Sequence, residues 1–258
     1  MYAVVCVTHA VLIKSRHKEV LTMENKENAE NLEEIYYKKK MTCDFCGSAY
    51  ETTRVRNGAK KILRTDTDYC VHYRGANPDF YTVRVCPYCG YASTENFEEG
   101  FKLKLRQEFE LKVASNWKYK DFGGVRTWEE SVMTLKLALH CAQVRGEGYR
   151  IITSLLHRMA WMYRLKGDEA QEKRWLNYAL DKYFDWFSNE DQGGKEAKLI
   201  FIMGELNRRL GQFTEAGRWF QKLMNDPVLG RQDPNIQKQA REQFGNMREE
   251  MKGGGPPT

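Results

Sequence analysis

Two matching stretches decide the fold of this chain: Cys43-Asp44-Phe45-Cys46-Gly47 and Cys86-Pro87-Tyr88-Cys89-Gly90. Each stretch places two thiols three residues apart and follows the second with a glycine, which lets the backbone turn back beneath the sulfurs. Four thiolates are the ligand set that zinc, or less often iron, selects. The pattern therefore predicts a structural zinc site, with iron as the alternative ion, whose ligands are Cys43, Cys46, Cys86 and Cys89. Two disulfides or free core thiols are the other interpretations of the same spacing.

Length and composition place the chain among globular proteins. Its 258 residues suit one large domain or a small domain with a medium one. The three cysteines outside the two turns lack the spacing of a secreted disulfide framework, which favours a reducing cytoplasm. The net charge of +6 combines 41 basic with 35 acidic residues, so it permits a nucleic-acid partner without requiring one. No segment of the sequence is apolar for long enough to span a bilayer, and we expect no membrane contact.

Both ends of the sequence are predicted to lie outside the folded part. We interpret residues 1–37 as a disordered leader or a misread start, because residues 24–34 are dense in charge and poor in apolar side chains. Residues 253–258, Gly253-Gly254-Gly255-Pro256-Pro257-Thr258, have the composition of a flexible tail.

Residues 38–96 are predicted to form a zinc-ribbon-like domain, in which the ion replaces a core too small to be stable alone. Alternating apolar and polar residues suggest a strand hairpin over 49–62 with its turn at Asn57-Gly58, and a second strand over 80–85 that leads into Cys86. The two cysteine turns are separated by 39 residues, about twice the usual ribbon loop. The ribbon must therefore contain an inserted loop.

The insertion carries four side chains with potential chemistry. If residues 66–72 are extended, side chains at alternate positions share one face, and these are Asp66, Asp68, Cys70 and His72. Such a row could bind a second metal ion or pair a thiol with a base. The interpretation that we favour is structural: the aspartates form a turn and Cys70 packs in the small core.

After Ser93 the apolar spacing changes to that of helices. A bridging helix and linker are predicted over residues 97–126, with Thr94 as a cap and a stripe of apolar residues at steps of four: Phe97, Phe101, Leu105, Phe109 and Val113. Residues 127–252 are predicted to form an all-α domain of helical hairpins with helices at about 127–145, 149–166, 169–189, 195–210, 214–225 and 235–251. The chain is thus predicted to be α+β, with a small β ribbon followed by helices.

Two of the predicted hairpins repeat each other. Met159-Ala160 and Gly167 recur 44 residues later as Met203-Gly204 and Gly211. Small residues at 160 and 204 allow helices to approach, and the glycines allow the chain to reverse. The later copy is close to the tetratricopeptide pattern, although its period exceeds the usual 34 residues or so. We predict tetratricopeptide-like hairpins with lengthened helices.

Together these motifs resemble a known family, the bacterial Domain of Unknown Function 2225 family. The resemblance rests on the two cysteine turns, the Asp66-Thr67-Asp68-Tyr69-Cys70 stretch and the Asn77-Pro78 turn, and it covers roughly residues 40–250. It implies a cytoplasmic protein with a metal-type cysteine set and tetratricopeptide-like repeats. It implies no catalytic residue.

Three functions remain open from the sequence. The favoured hypothesis is a non-enzymatic adaptor that binds a protein or peptide in a groove of the helical repeats. The second is nucleic-acid binding by a basic cluster around the first turn, composed of Lys38, Lys39, Lys40, Arg54, Arg56, Lys60, Lys61 and Arg64. The third is a redox or thiol enzyme that uses Cys70 with His72 or an aspartate. We found no hydrolase triad, phosphate loop or zinc-protease pattern, so an enzyme is the less favoured class.

Overall fold

The structure is a computed structural model that describes residues 32–191 and 193–253. The predicted leader up to residue 31 and the predicted tail from residue 254 lie outside the described residues. Tyr36 and Tyr37, which the sequence assigned to the leader, begin the first strand and pair with Val55 and Arg54.

Three separate two-stranded antiparallel sheets occupy the first part of the described chain. The pairs are β1 (Tyr36–Thr42) with β2 (Ala49–Val55), β3 (Lys61–Thr65) with β4 (Val71–Arg74), and β5 (Arg84–Val85) with β6 (Ala92–Ser93). The first and third sheets are hairpins, each closed by one of the Cys-x-x-Cys turns. The prediction that both cysteine turns close short strands is confirmed, and β3–β4 is the inserted hairpin.

The prediction of a hairpin around Asn57-Gly58 was wrong. Asn57–Ala59 is a short 3-10 turn, and β2 before it pairs with β1 rather than with β3. The reason is that the first cysteine turn already joins β1 to β2. The strand after Asn57–Ala59 therefore pairs with β4, in a different sheet.

The strand predicted over residues 80–85 is limited to Arg84–Val85, because Pro78–Tyr81 forms a 3-10 helix. The Asn77 side chain accepts a hydrogen bond of 2.9 Å from the Asp79 amide. Proline at the first helical position and an Asn cap both favour a helical turn over an extended chain.

The bridging helix begins later than predicted. It is α1 (Leu103–Lys112) rather than a helix from Thr94. Gly100 has a φ of 73°, which interrupts any helix that starts at Thr94. The aromatic residues of the predicted stripe still bury against the ribbon, since the rings of Phe101 and Phe109 lie 5.3 and 4.6 Å from that of Phe45.

The helices after residue 126 follow the prediction closely. They are α2 (Trp128–Arg145), α3 (Tyr149–Lys166), α4 (Glu169–Asn189), α5 (Glu196–Arg209), α6 (Phe213–Asn225), α7 (Pro227–Gln232) and α8 (Pro234–Gly253). Every predicted helix is confirmed to within two residues at each end, and only the short α7 was missed. Together with the small sheets, these helices confirm the α+β class.

The helices pack as α3 against α4 and α5 against α6. Gly167 and Gly211, at the turns of the two hairpins, have φ of 78° and 76°. Gly204 lies so close to the Phe220 ring that an added Cβ would stand 2.7 Å from Cε1. The two turn glycines and Gly204 therefore have the local roles that the sequence suggested.

Two hydrophobic cores meet at α3. The first joins the ribbon to α2 and to one side of α3, including Val85, Leu135 and Leu155. The second lies among α4–α8 and takes Leu156 and Ala160 from the other side of α3. The ribbon and the first helices therefore share one core, and the residue-127 boundary does not separate two cores.

Within the described residues, no helix combines the length and the apolar character needed to cross a membrane.

Candidate metal centre and adjoining polar network

The two cysteine turns face each other and bring four sulfurs together. Cys43 Sγ lies 3.6 Å from Cys89 Sγ, and Cys46 Sγ lies 3.7 Å from Cys86 Sγ. All four sulfur atoms are within 4.8 Å of one another. The structure thus joins the four residues that the spacing singled out as ligands.

The backbone of both turns has the same conformation. The Gly47 amide donates to the Cys43 carbonyl at 2.9 Å, and the Gly90 amide donates to the Cys86 carbonyl at 3.0 Å. The two glycines have φ of 75° and 72°, a region that residues with a Cβ adopt at a cost. The Trp117 ring also fills the space that a Cβ on Gly90 would need, 2.4 Å away.

The donor set and its spacing fit a tetrahedral metal ion. Sulfurs bound at about 2.3 Å from a central zinc stand roughly 3.8 Å apart, close to the two distances above. Hydrogen bonding between Cys43 and Cys86 raises the pKa of the Cys43 thiol and lowers that of the Cys86 thiol. The pKa of Cys89 is raised as well, by its contacts with Cys43 and Cys86. Four neighbouring thiolates therefore need a cation, and the cluster is a candidate metal site.

The inserted segment makes a turn, not an extended row. The Asp66 amide donates to the Cys70 carbonyl at 2.8 Å and the Tyr69 amide donates to the Asp66 carbonyl at 2.9 Å. Tyr69 has a φ of 69°, the one positive value among the described residues other than glycine. Its ring packs 6.4 Å from that of Phe201 on α5, a contact that helps to hold this conformation.

Asp68, in the insertion, lies at the centre of a buried polar network that it forms with side chains of α3. Its carboxylate is fully buried and accepts hydrogen bonds from Arg164 at 2.8 and 2.7 Å, from Trp161 Nε1 at 3.1 Å and from His157 Nε2 at 3.2 Å. Burial alone would raise the pKa of Asp68, but the His157 and Arg164 hydrogen bonds outweigh it and hold the pKa well below its usual value. Asp68 is therefore a charged anchor between the insertion and α3.

The other candidates of the insertion form a smaller group beside Asp68. Oxygen, sulfur and nitrogen atoms of Asp66, Cys70 and His72 lie within 4.8 Å of one another. Arg164 also donates to Asp66 at 2.9 Å, and His72 Nε2 lies 3.0 Å from the same carboxylate. The Arg164 guanidinium would repel a metal ion at this position. Burial raises the pKa of the Cys70 thiol to about 12, which disfavours a nucleophilic thiolate.

The same turn also contacts α5. The Thr67 hydroxyl donates to the buried Glu205 carboxylate, and Arg209 Nη2 lies 3.5 Å from Asp68 Oδ1. Glu205 in turn accepts a 2.7 Å hydrogen bond from Arg208. Residues 66–69 therefore lie across the faces of α3 and α5, the first helices of the two hairpins.

The predicted basic cluster is divided between internal contacts and solvent. Lys38 donates to the Gly123 carbonyl, Arg54 to the Tyr81 carbonyl and Arg56 to the Glu33 carbonyl. Arg64 pairs with Asp66, and Lys60 donates to Asn57 at 2.9 Å. The remaining members lie exposed on two strands, with Lys39 and Lys40 on β1 and Lys61 on β3.

Sequence reasoning missed the helical side of the network. Arg164, His157 and Trp161 recur at steps of three and four on α3, which places them on one face of that helix. That spacing was visible in the sequence. The partner in the insertion, about ninety residues earlier, was not, because only the tertiary fold brings the two segments together.

A candidate four-cysteine metal site between two short hairpins, followed by stacked helices, defines the class: a ribbon-like protein with a helical extension. The chain belongs to the DUF2225 family, described as an uncharacterized protein conserved in bacteria, which it matches over residues 36–247. Neither the search of curated proteins nor the search of solved structures found a match.

Proposed function

We propose that this protein is a cytoplasmic adaptor, a protein-interaction module whose ribbon is held by a structural zinc ion. Cys43, Cys46, Cys86 and Cys89 would complete the coordination of zinc and leave no position for water or substrate, as in closed structural sites. Three of the four cysteines are buried. The ion would supply folding energy, and binding would belong to another surface.

The helical-repeat groove is the binding surface that the sequence suggested. Residues 66–69 already lie on α3 and α5 through Asp68, Thr67 and Tyr69. A partner on that face would first have to displace this turn and remove the Asp66 and Asp68 carboxylates from Arg164, which is costly for a buried charge. We therefore assign the partner contact to a different surface.

The observation that carries the proposal is the exposure of β3. Every residue of this strand is exposed, including Ile62 at 61 % and Leu63 at 59 %. Among the described strands it pairs only with β4, so no described strand covers the backbone groups of its other edge. An exposed apolar strand edge is a template for an incoming strand. Lys61 and Arg64 belong to the strand and Lys60 precedes it, so the partner segment would be extended and acidic.

Site-specific photo-crosslinking in bacterial cells would test this surface. A crosslinking residue at Ile62 should capture a defined protein, whereas one at Val228, which is 54 % exposed on α7, should not. The captured protein is then purified and titrated against wild type and an Ile62→Asp, Leu63→Asp double variant. We expect the double variant to bind at least about tenfold more weakly, because two apolar contacts are lost and two like charges face an acidic segment.

Two results would contradict the proposal. One is equal capture from positions 62 and 228; the other is unchanged affinity of the double variant. The nucleic-acid alternative is tested by titrating the same protein with oligonucleotides. If they bind with an affinity that falls steeply as salt is added, and if binding requires Lys39 and Lys40, the basic strands would be favoured as a phosphate-binding surface instead.

A further inference from the structure

A cleft of about 180 Å³ lies where the ribbon meets α3 and α4. One wall is a face of α3, and its residues recur at steps of four, three, one and three: Arg150, Ser154, His157, Arg158 and Trp161. Thr82, Thr94 and Asn96 of the ribbon line the opposite side. The adaptor proposal makes no use of this cleft.

The charge of the cleft favours an anion. None of the described residues that line it is acidic. Arg158 is paired with Asp79. Arg150 is exposed and has no hydrogen-bond or ion-pair partner within the described part of the chain. Arg150 is therefore the cation that a ligand could use without breaking an existing contact.

A row of rings forms the other chemical feature of the cleft. The Trp186 and Tyr183 rings are stacked at 6.4 Å, Tyr183 meets His157 at 5.8 Å, and His157 meets Trp161 at 4.6 Å. Hydrogen bonds fix the orientation of these rings, because Tyr183 donates to His157 Nδ1 at 3.1 Å and both His157 and Trp161 donate to Asp68. His157 and Tyr183 are buried, so the rigid surface that the row offers to a flat ligand is that of the half-buried Trp161 and Trp186 rings at its ends.

We propose that this cleft binds a small organic anion, whose flat ring lies against the ring row and whose phosphate or carboxylate pairs with Arg150. The volume is below the roughly 300–1,000 Å³ of pockets for drug-sized ligands, so the ligand carries a single flat aromatic ring. Burial lowers the pKa of His157 and keeps that imidazole neutral. The negative charge of the ligand would therefore pair with Arg150 and not with His157.

Calorimetric titration of the purified full chain with four probes tests the site. Uridine monophosphate has a ring and a phosphate, benzoate has a ring and a carboxylate, uridine has no charge and inorganic phosphate has no ring. We expect one of the two ring-bearing anions to bind more tightly than uridine and inorganic phosphate. Arg150→Ala should weaken that binding by about 10- to 100-fold, the effect of removing a charged hydrogen-bond partner.

Arg174→Ala is the matched control, because Arg174 is exposed on α4, contacts Tyr178 and does not line the cleft. It should leave binding unchanged. If Arg150→Ala lowers the melting temperature, Arg150→Gln provides the same test with the side-chain length retained. Tighter binding of uridine monophosphate identifies a phosphate ligand, and tighter binding of benzoate identifies a carboxylate.

Three results would overturn the inference. They are binding that Arg150→Ala and Arg150→Gln leave unchanged, inorganic phosphate that binds as tightly as either ring-bearing anion, and no binding of either ring-bearing anion at millimolar concentration. None of them bears on the β3 surface, so this test and the crosslinking test fail independently.

Discussion

Asp68→Asn removes the charge at the centre of the network that joins the insertion to α3. The wild-type carboxylate is fully buried and accepts two hydrogen bonds from Arg164, at 2.8 and 2.7 Å, and one each from His157 and Trp161. An asparagine side chain would turn its NH₂ group towards donors. It would also deprive the Arg164 guanidinium, whose side chain is 11 % exposed, of its most buried carboxylate and leave it with Asp66 and Glu172.

Removing one partner of a buried ion pair costs about 3–5 kcal/mol of unfolding free energy. In a chain of this size each kcal/mol shifts the melting temperature by about 2–4 °C, so the melting temperature should fall by roughly 6–20 °C. The assay is urea and thermal unfolding at neutral pH, with metal content matched between the proteins. Asp185→Asn is the control, because Asp185 forms an ion pair with Lys182 that is about two-fifths exposed, and its loss should cost under about 1 kcal/mol.

The pH dependence gives a second measurement of the same carboxyl. The pKa of Asp68 is lowered in the folded protein, so its stabilisation is complete above the unfolded pKa of about 3.9 and is lost as pH falls through the folded value. The difference in stability between wild type and Asp68→Asn should therefore be largest above about pH 5 and shrink in more acidic solution. A loss under about 1 kcal/mol at neutral pH, or a difference that does not change with pH, would refute the argument that a charged Asp68 anchors the insertion.

Two further predictions concern the metal site and the helix packing. Cys86→Ala should abolish stoichiometric metal binding in elemental analysis and increase hydrogen exchange in the ribbon, α2 and α3, because these share one core; a full metal content in this variant would contradict the four-cysteine site. Gly204→Ala should cost about 1–3 kcal/mol in urea unfolding, since its Cβ would lie 2.7 Å from the Phe220 ring. Gly245→Ala on α8 should instead stabilise by about 0.5–1 kcal/mol, because nothing lies within 4 Å of its Cβ; equal effects of the two changes would be inconsistent with this packing.

The helices show which features a sequence predicts well. The apolar spacing and the glycine turns from residue 127 onward give helix ends within two residues of those observed, because both signals act within a few residues of the chain. Thr127, for example, accepts a hydrogen bond of 3.2 Å from the Glu130 amide and starts α2. The N-terminal strands were harder, since β2 alternates in the same way whether it pairs with β1 or β3.

The candidate sites divide in the same manner. The four cysteines could be assigned from the sequence because a metal ion requires fixed ligand types at short spacing, and each pair lies within one turn. The polar network of the insertion could not be assigned from the sequence, because the partners of Asp68 come from α3 and α5. The cleft beside Arg150 could not be predicted from the sequence either, because its lining residues also come from separate segments of the chain.

The sequence by itself determined the α+β class, the positions of the helices after residue 126 except α7, and the identity of the four metal-type cysteines, all of which follow from local backbone preference and side-chain spacing. Only the tertiary structure decided that residues 66–69 cover α3 and α5, that β3 is left exposed and that Arg150 faces a row of rings. The physical reason is that burial, charge pairing and exposure are properties of segments brought together from distant parts of the chain. Neither the amino-acid composition nor the spacing of apolar residues indicates which segments will contact each other.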